Sequence, residues 1–273
     1  MARKLDEFSD ALEDRIGAAL DREEWAEAEV LSAQLDDEYG NAGITAMVAA
    51  MLDQVEVLVK ADQAAMANEV RAALTRRDAG EARRLLARKR ERHGAIHDCH
   101  INAMAELMNS VMALWGEPGL ERMLRGVGEA ARATMFDTLA ALPIEAQVGA
   151  WAKSLRNHLG KIEVCEDDEK FTIRQDPCGS GGRLMRAGRF DGEDALARVS
   201  GRGLTLGVEG LPVYCAHCPV WLANQANEWY GAPMWALEPP TDNGHPCLIH
   251  LYKDPNKVPL EFRARLAPPT IDG

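Results

Sequence analysis

The spacing of apolar residues changes once along this chain, near residue 160, and that change constrains the fold more than any other feature. Up to about residue 158, apolar side chains recur every three or four positions, the spacing of helices that bury one face. Leu5, Phe8, Leu12, Ile16 and Leu20 form one such stripe, and Met47, Met51, Val55, Leu58 and Val59 continue it. Gly40-Asn41-Ala42-Gly43 reads as a break in the second helix, and Gly116-Glu117-Pro118-Gly119 as a stop. Beyond 160 the period falls to two. Lys161–Cys165 and Lys170–Arg174 alternate apolar and polar residues around the charged run Glu166–Glu169, which predicts a hairpin. Residues 176–212 are rich in glycine and arginine and read as loop, with a short helix near 191–199. A helix is expected from Pro219 to Trp229, and two closing strands at 234–238 and 247–252. The expected class is therefore α+β. A helical half, residues 1–160, precedes a smaller domain, residues 161–273, of β-β-loop-α-β-β order carrying a cysteine metal site.

Within the helical half a repeat is visible. Ala18-Ala19-Leu20, Ala26-Glu27-Ala28 and Leu31 recur 54 positions later as Ala72-Ala73-Leu74, Gly80-Glu81-Ala82 and Leu85. Small residues at such spacing suit the crossing of a helical hairpin, so two duplicated hairpins are expected, followed by a long helix over 81–114.

Bulk properties narrow the partners. The net charge of -12 disfavours non-specific nucleic-acid binding, which requires a cationic surface. The first ten residues are charged and lack an apolar signal core, and no apolar run approaches the ~20 residues of a membrane span. A cytoplasmic location with reduced thiols is expected, with no membrane partner. The helical half offers surface for a homodimer.

Four cysteines fall at turn-like breaks in the last hundred residues: Cys178 in Asp-Pro-Cys-Gly-Ser-Gly-Gly-Arg, Cys215 and Cys218 in Cys-Ala-His-Cys-Pro, and Cys247 in His-Pro-Cys. Among reduced thiols, one C-x-x-C pair flanked by two single cysteines suits thiolate ligation of a metal, either tetrahedral zinc or an iron–sulfur cluster. Zinc is the first expectation and the cluster its alternative. The dipole of the helix beginning at Pro219 is expected to favour thiolate at Cys215 and Cys218. Cys99 and Cys165 read as packing residues.

His93, His97 and His100 share one helical face, and Asp98 follows His97. His97 with Asp98 is expected to move protons. Arg183 follows the glycine loop and is expected to orient a substrate carboxylate, with Arg186 and Arg189 as weaker candidates. His217 is expected to point away from the metal, and His250 to face the side of its strand opposite Cys247.

Two features together resemble a known group. They are His97-Asp98 with the apolar residues and Gly116-Glu117 beyond it, and the closing half with Cys215-x-x-Cys218, a helix and two strands. Over residues 70 to 255 the chain resembles bacterial L-2-amino-thiazoline-4-carboxylate hydrolase-like proteins, which are akin to vinyl-reductase-like small-molecule-binding domains. The resemblance implies a buried pocket for a small heterocyclic or carboxylate-bearing ligand and hydrolytic activity. Cys178 and Cys247 stand outside the residues that carry it. The expectation is a metal-dependent hydrolase or lyase, with an iron–sulfur protein or a ligand-binding, redox-sensing module as the alternative.

Overall fold

The computed structural model describes residues 11–39, 42–240, 242 and 245–267. Two compact units divide the chain between Lys89 and Arg90. Residues 90–160, helical as the period predicts, thus belong to the same unit as the sheet.

The first unit is built from helices α1 (Leu12–Asp21), α2 (Trp25–Tyr39), α3 (Ala42–Thr75) and the start of α4 (Ala79–Ala131). Its two hairpins repeat one another at the offset of 54. Ala19, Ala28 and Leu31 are buried between α1 and α2, and Ala73, Ala82 and Leu85 between α3 and α4. The turns match as well. Glu23 (φ 59°) and Arg77 (φ 57°) both adopt the left-handed conformation. The N–H of Glu23 donates to the Leu20 carbonyl (3.0 Å) and that of Arg77 to Leu74 (2.9 Å). Alanines at the crossing let two backbones approach where larger side chains would hold them apart.

Periodicity misjudged other positions. Met47, Met51 and Leu58 on α3 are exposed, so that stripe is not core; on α1 Leu12 and Ile16 pack against the Ala19 cluster as expected, whereas Leu20 is exposed. Leu5 and Phe8, and the break at Gly40-Asn41, lie outside the described residues, whereas Ala42 and Gly43 already belong to α3. The stop at Gly116 is a kink within α4: Gly116 leaves helical geometry (φ 65°, ψ -170°) and the helix resumes at once. Pro118 falls in the first turn of the resumed run, where its missing N–H would have no partner anyway.

In the second unit α4 leads through a wide π-helical turn, Arg132–Phe136, into α5 (Asp137–Ala140) and α6 (Ile144–Asn157). Strands β1 (Ile162–Glu166) and β2 (Lys170–Gln175) form the expected hairpin. Two short pieces, β3 (Arg198–Val199) and β4 (Leu211–Pro212), pair with each other. Strands β5 (Ala236–Glu238) and β6 (Cys247–Tyr252) close the main sheet, which is antiparallel throughout in the order β1-β2-β6-β5. Phe171, Ile173 and Gln175 on β2 alternate inward, as do Cys247, Ile249 and Leu251 on β6, and both sets are buried. The expected helix near 191–199 is absent. Gly188 (φ 72°) and Gly192 (φ 88°) turn the chain there, and short helices α7 (Gly181–Arg186) and α8 (Arg202–Thr205) form on either side. Beyond β4, a 3₁₀ turn (Val213–Ala216), a π-helical run (Pro219–Gln225) and α9 (Ala226–Tyr230) carry the C-x-x-C. Among the described residues the last helix is α10 (Leu260–Arg263). Among the described residues no helix is long and apolar enough to cross a membrane.

Candidate functional site

Gln175 at the end of β2 pairs with Cys247 at the start of β6, so one end of the sheet brings the last strand beside the turn that follows β2. That turn, Pro177-Cys178-Gly179, packs against the end of α6. A side chain at Gly179 would collide with the carbonyl of His158 and the amide of Gly160. At Gly181 a β-carbon would stand 2.5 Å from Cys215 Sγ. The two glycines therefore serve close approach: one lets Cys178 reach α6, the other seats the Cys215 sulfur on bare backbone.

The result is a cavity of about 150 Å³ lined by Cys178, Cys215, Cys218 and Cys247. Four cysteines scattered over 70 positions of sequence thus share one wall-bounded space. All are free thiols. Among the described residues, however, no three His, Cys, Asp or Glu side chains form a group that could hold a metal ion. Four sulfurs on one zinc, each ~2.3 Å from it, would stand only ~3.8 Å apart.

Aromatic and apolar side chains, among them Phe136, Trp151, Trp221 and Trp235, make most of the remaining wall, with His158, Ser180, Tyr214 and His217. Among the described residues, no Lys, Arg, Asp or Glu lines the cavity. Burial pushes the thiols of Cys215, Cys218 and Cys247 well up, and the neighbouring sulfurs push them further. The expected thiolate-favouring dipole is thus outweighed by desolvation, and without a bound cation these groups are protonated. Among the described residues, three buried polar atoms of wall residues lack a hydrogen-bond partner: Trp151 Nε1, Trp235 Nε1 and Gln175 Oε1.

His217 lies against the thiols, contrary to its expected outward direction. Its Nδ1–H donates to the Tyr214 carbonyl (2.6 Å), which leaves Nε2 bare and facing Cys218 Sγ at 3.3 Å. Burial lowers this imidazole to about 4, against a smaller opposing effect of the Tyr214 carbonyl.

His97, Asp98 and Arg183 come together, but outside the cavity. The Asp98 carboxylate accepts from His97 Nδ1–H (3.0 Å) and from Arg183 Nε (3.2 Å), with a further bond from the second nitrogen of the guanidinium. Burial works to raise the Asp98 carboxyl, but Arg183 and His97 outweigh it and hold it below the ordinary value. Arg183 thus grips Asp98 instead of facing a ligand. Arg186 is likewise paired with Asp176 (2.8 Å), and Arg189 with Glu106.

The imidazole of His97 is buried and reaches the cavity through a second histidine. Its Nε2 lies 3.3 Å from His158 Nδ1, which in turn lies 3.2 Å from Ser180 Oγ. Burial lowers both imidazoles; Asp98 partly offsets this at His97, while His97 and His93 add to it at His158. Asp98 fixes the tautomer: Nδ1 of His97 carries the hydrogen, so its neutral Nε2 accepts from His158. A proton placed on His97 Nε2 reverses that bond. Asp98, His97 and His158 therefore form a hydrogen-bonded line from half-exposed carboxylate to cavity wall, where Ser180 Oγ and His97 Nε2 share the one nitrogen His158 Nδ1.

His93 bonds the Asn157 carbonyl (2.6 Å), and His250 is engaged by Thr172 and Glu238, both away from the cavity. Cys99 and Cys165 are exposed and pack into no core. Sequence reasoning missed His158, Ser180 and Trp151. A histidine at the end of a predicted helix two residues before Gly160 was the one usable signal, since helix ends carry polar groups without partners. Comparison with protein-family models, curated proteins and solved structures finds no match for this chain.

Proposed function

We propose that the cavity is the seat of an iron–sulfur cluster held by Cys178, Cys215, Cys218 and Cys247, and that the chain is a cytoplasmic iron–sulfur protein. One observation carries this reading: four cysteines line one cavity, yet among the described residues no three side chains are placed to share a single ion. A cluster distributes its thiolates over several irons and occupies the space between them. The wall suits such a group. It is apolar, and the two unpartnered indole N–H groups would satisfy themselves on the sulfur of an anionic cluster. When bound, the cluster would supply electron transfer or a Lewis-acidic iron. The chain's own part is to exclude water with the tryptophans, to hold the sulfurs, and to hold a proton on the line from Asp98 through His97 to His158 at the cavity wall.

A cavity without basic side chains argues for a neutral ligand, should the site act on one. The carboxylate substrate expected of Arg183 does not suit it. A second reading, hydrolysis without metal, draws on the contact of Cys218 with His217, a thiol facing a base whose tautomer is fixed by a carbonyl.

Anaerobic purification followed by iron, sulfide and zinc analysis tests the proposal. Iron and acid-labile sulfide in equal amounts, with broad visible absorption lost on exposure to air, are expected. Cys178→Ser and Cys247→Ser should each lower iron content severalfold, whereas His97→Gln should leave it intact. Stoichiometric zinc, or colourless metal-free protein with a Cys218 that alkylates in a His217-dependent manner, would overturn it.

A further inference from the structure

We propose that α3 pairs in antiparallel fashion with α3 of a second copy of this chain, sealing an apolar stripe and joining the acidic hairpin of each copy to the basic hairpin of the other. This inference is independent of the cavity and rests on the first unit alone.

Met47, Val48, Met51, Leu52 and Leu58 are 59%, 51%, 64%, 53% and 68% exposed. Val55 and Val59 between them are half-buried. At about 100° per residue these seven positions fall within one arc of about 140° on α3. Glu56 and Lys60 pair with each other on the far side (2.5 Å). A contiguous apolar face of this kind on an otherwise charged unit marks a contact surface.

The identity of the occupant follows from the charges at the two ends of the stripe. Residues 11–35, the α1–α2 hairpin, carry seven acidic and two basic side chains. Residues 71–89, around the equivalent α3–α4 turn, carry seven basic and two acidic. The same hairpin fold thus appears twice with opposite sign, before and after one apolar helix. In a parallel pair, like hairpins would meet and repel. In an antiparallel pair the N-terminal end of each α3 lies beside the C-terminal end of the other, so both acidic hairpins face basic ones. The chain supplies both halves of a two-fold contact, and no other partner needs to be invoked.

Light scattering coupled to size exclusion, on the full chain at low and at high salt, provides the test. A dimer is expected whose dissociation constant rises at least tenfold with salt, because the hairpin contacts are screened. Met51→Glu with Leu58→Glu should give a monomer of unchanged helicity by circular dichroism. Glu13→Lys with Glu29→Lys cuts the net charge of the acidic hairpin from -5 to -1, and Arg83→Glu with Arg88→Glu cuts that of the basic hairpin from +5 to +1, so that only a mixed pair keeps one full-strength contact. Each variant alone should be largely monomeric at low salt, and a mixture of the two should yield a heterodimer. A parent chain monomeric up to its solubility limit would overturn the proposal. So would a dimer that survives the two α3 substitutions, or charge variants that fail to combine on mixing.

Discussion

Each histidine of the His97–His158 pair sits where a charge is unwelcome. Burial is the largest effect on both, and each would repel the other if both were protonated. Their folded pKa values therefore lie below the ordinary 6.5, so the unfolded chain binds protons more readily. Stability from this source is complete above pH 6.5 and is lost as pH falls through the folded values. The carboxylates held low by cations, Asp98 and Asp176 among them, are depressed from 3.8 and lose their contributions only at more acid pH. Between about pH 6.5 and 5 these two imidazoles and that of His217, which burial holds at about 4, thus dominate. The melting temperature should be flat from pH 8 to 7 and fall over that window. His158→Asn should make the fall shallower. A slope unchanged by that substitution would show that the pair does not govern acid sensitivity.

Elements were legible wherever one local rule acted alone. The β1–β2 hairpin follows from alternation around a charged turn, and Lys161–Arg174 folds accordingly. The repeated hairpins follow from alanines and a leucine at matched positions. Where distant contacts decide, the sequence was silent. Nothing local in Gly179 or Gly181 announces that each is needed for the approach of another element, and Arg183 gives no hint that Asp98 will claim its guanidinium. The helical stripe of α3 was misread for the same reason, because periodicity shows that a face is apolar and not what covers it. The hairpin turns add one feature that no pattern of apolar residues revealed. Glu23 and Arg77 hold left-handed backbone, a conformation that costs a residue with a β-carbon roughly 1 kcal/mol. Both Glu23→Gly and Arg77→Gly should therefore stabilise the first unit, by about 0.5–1 kcal/mol in denaturant titrations. The two substitutions remove charges of opposite sign. A gain in both assigns the cause to the backbone, whereas a gain in one and a loss in the other would assign it to the charge.

Over the whole molecule the burial is uneven. Among the described residues the first unit holds two small clusters, Ala19 with Ala28 and Leu31, and Val70 with Ala73, Ala82 and Leu85. The second holds two much larger ones, built around Leu120, Leu204 and Val220 and around Phe136, Ile173 and Ile249. Apolar burial supplies about 25 cal/mol per Å², so the first unit has far less to set against its conformational entropy. Yet it is the unit whose apolar helix face is exposed in a single chain. Two calorimetric transitions are expected, the first belonging to residues 12–89, with amides of α1 to α3 exchanging well before those of β2 and β6. Pairing of α3 between copies would stabilise that unit by mass action, so the lower transition alone should rise with protein concentration. Met51→Glu should abolish that rise without moving the upper transition. A single transition independent of concentration would mean that the small clusters are not the weak part of the molecule, and that the apolar face of α3 stays open to water.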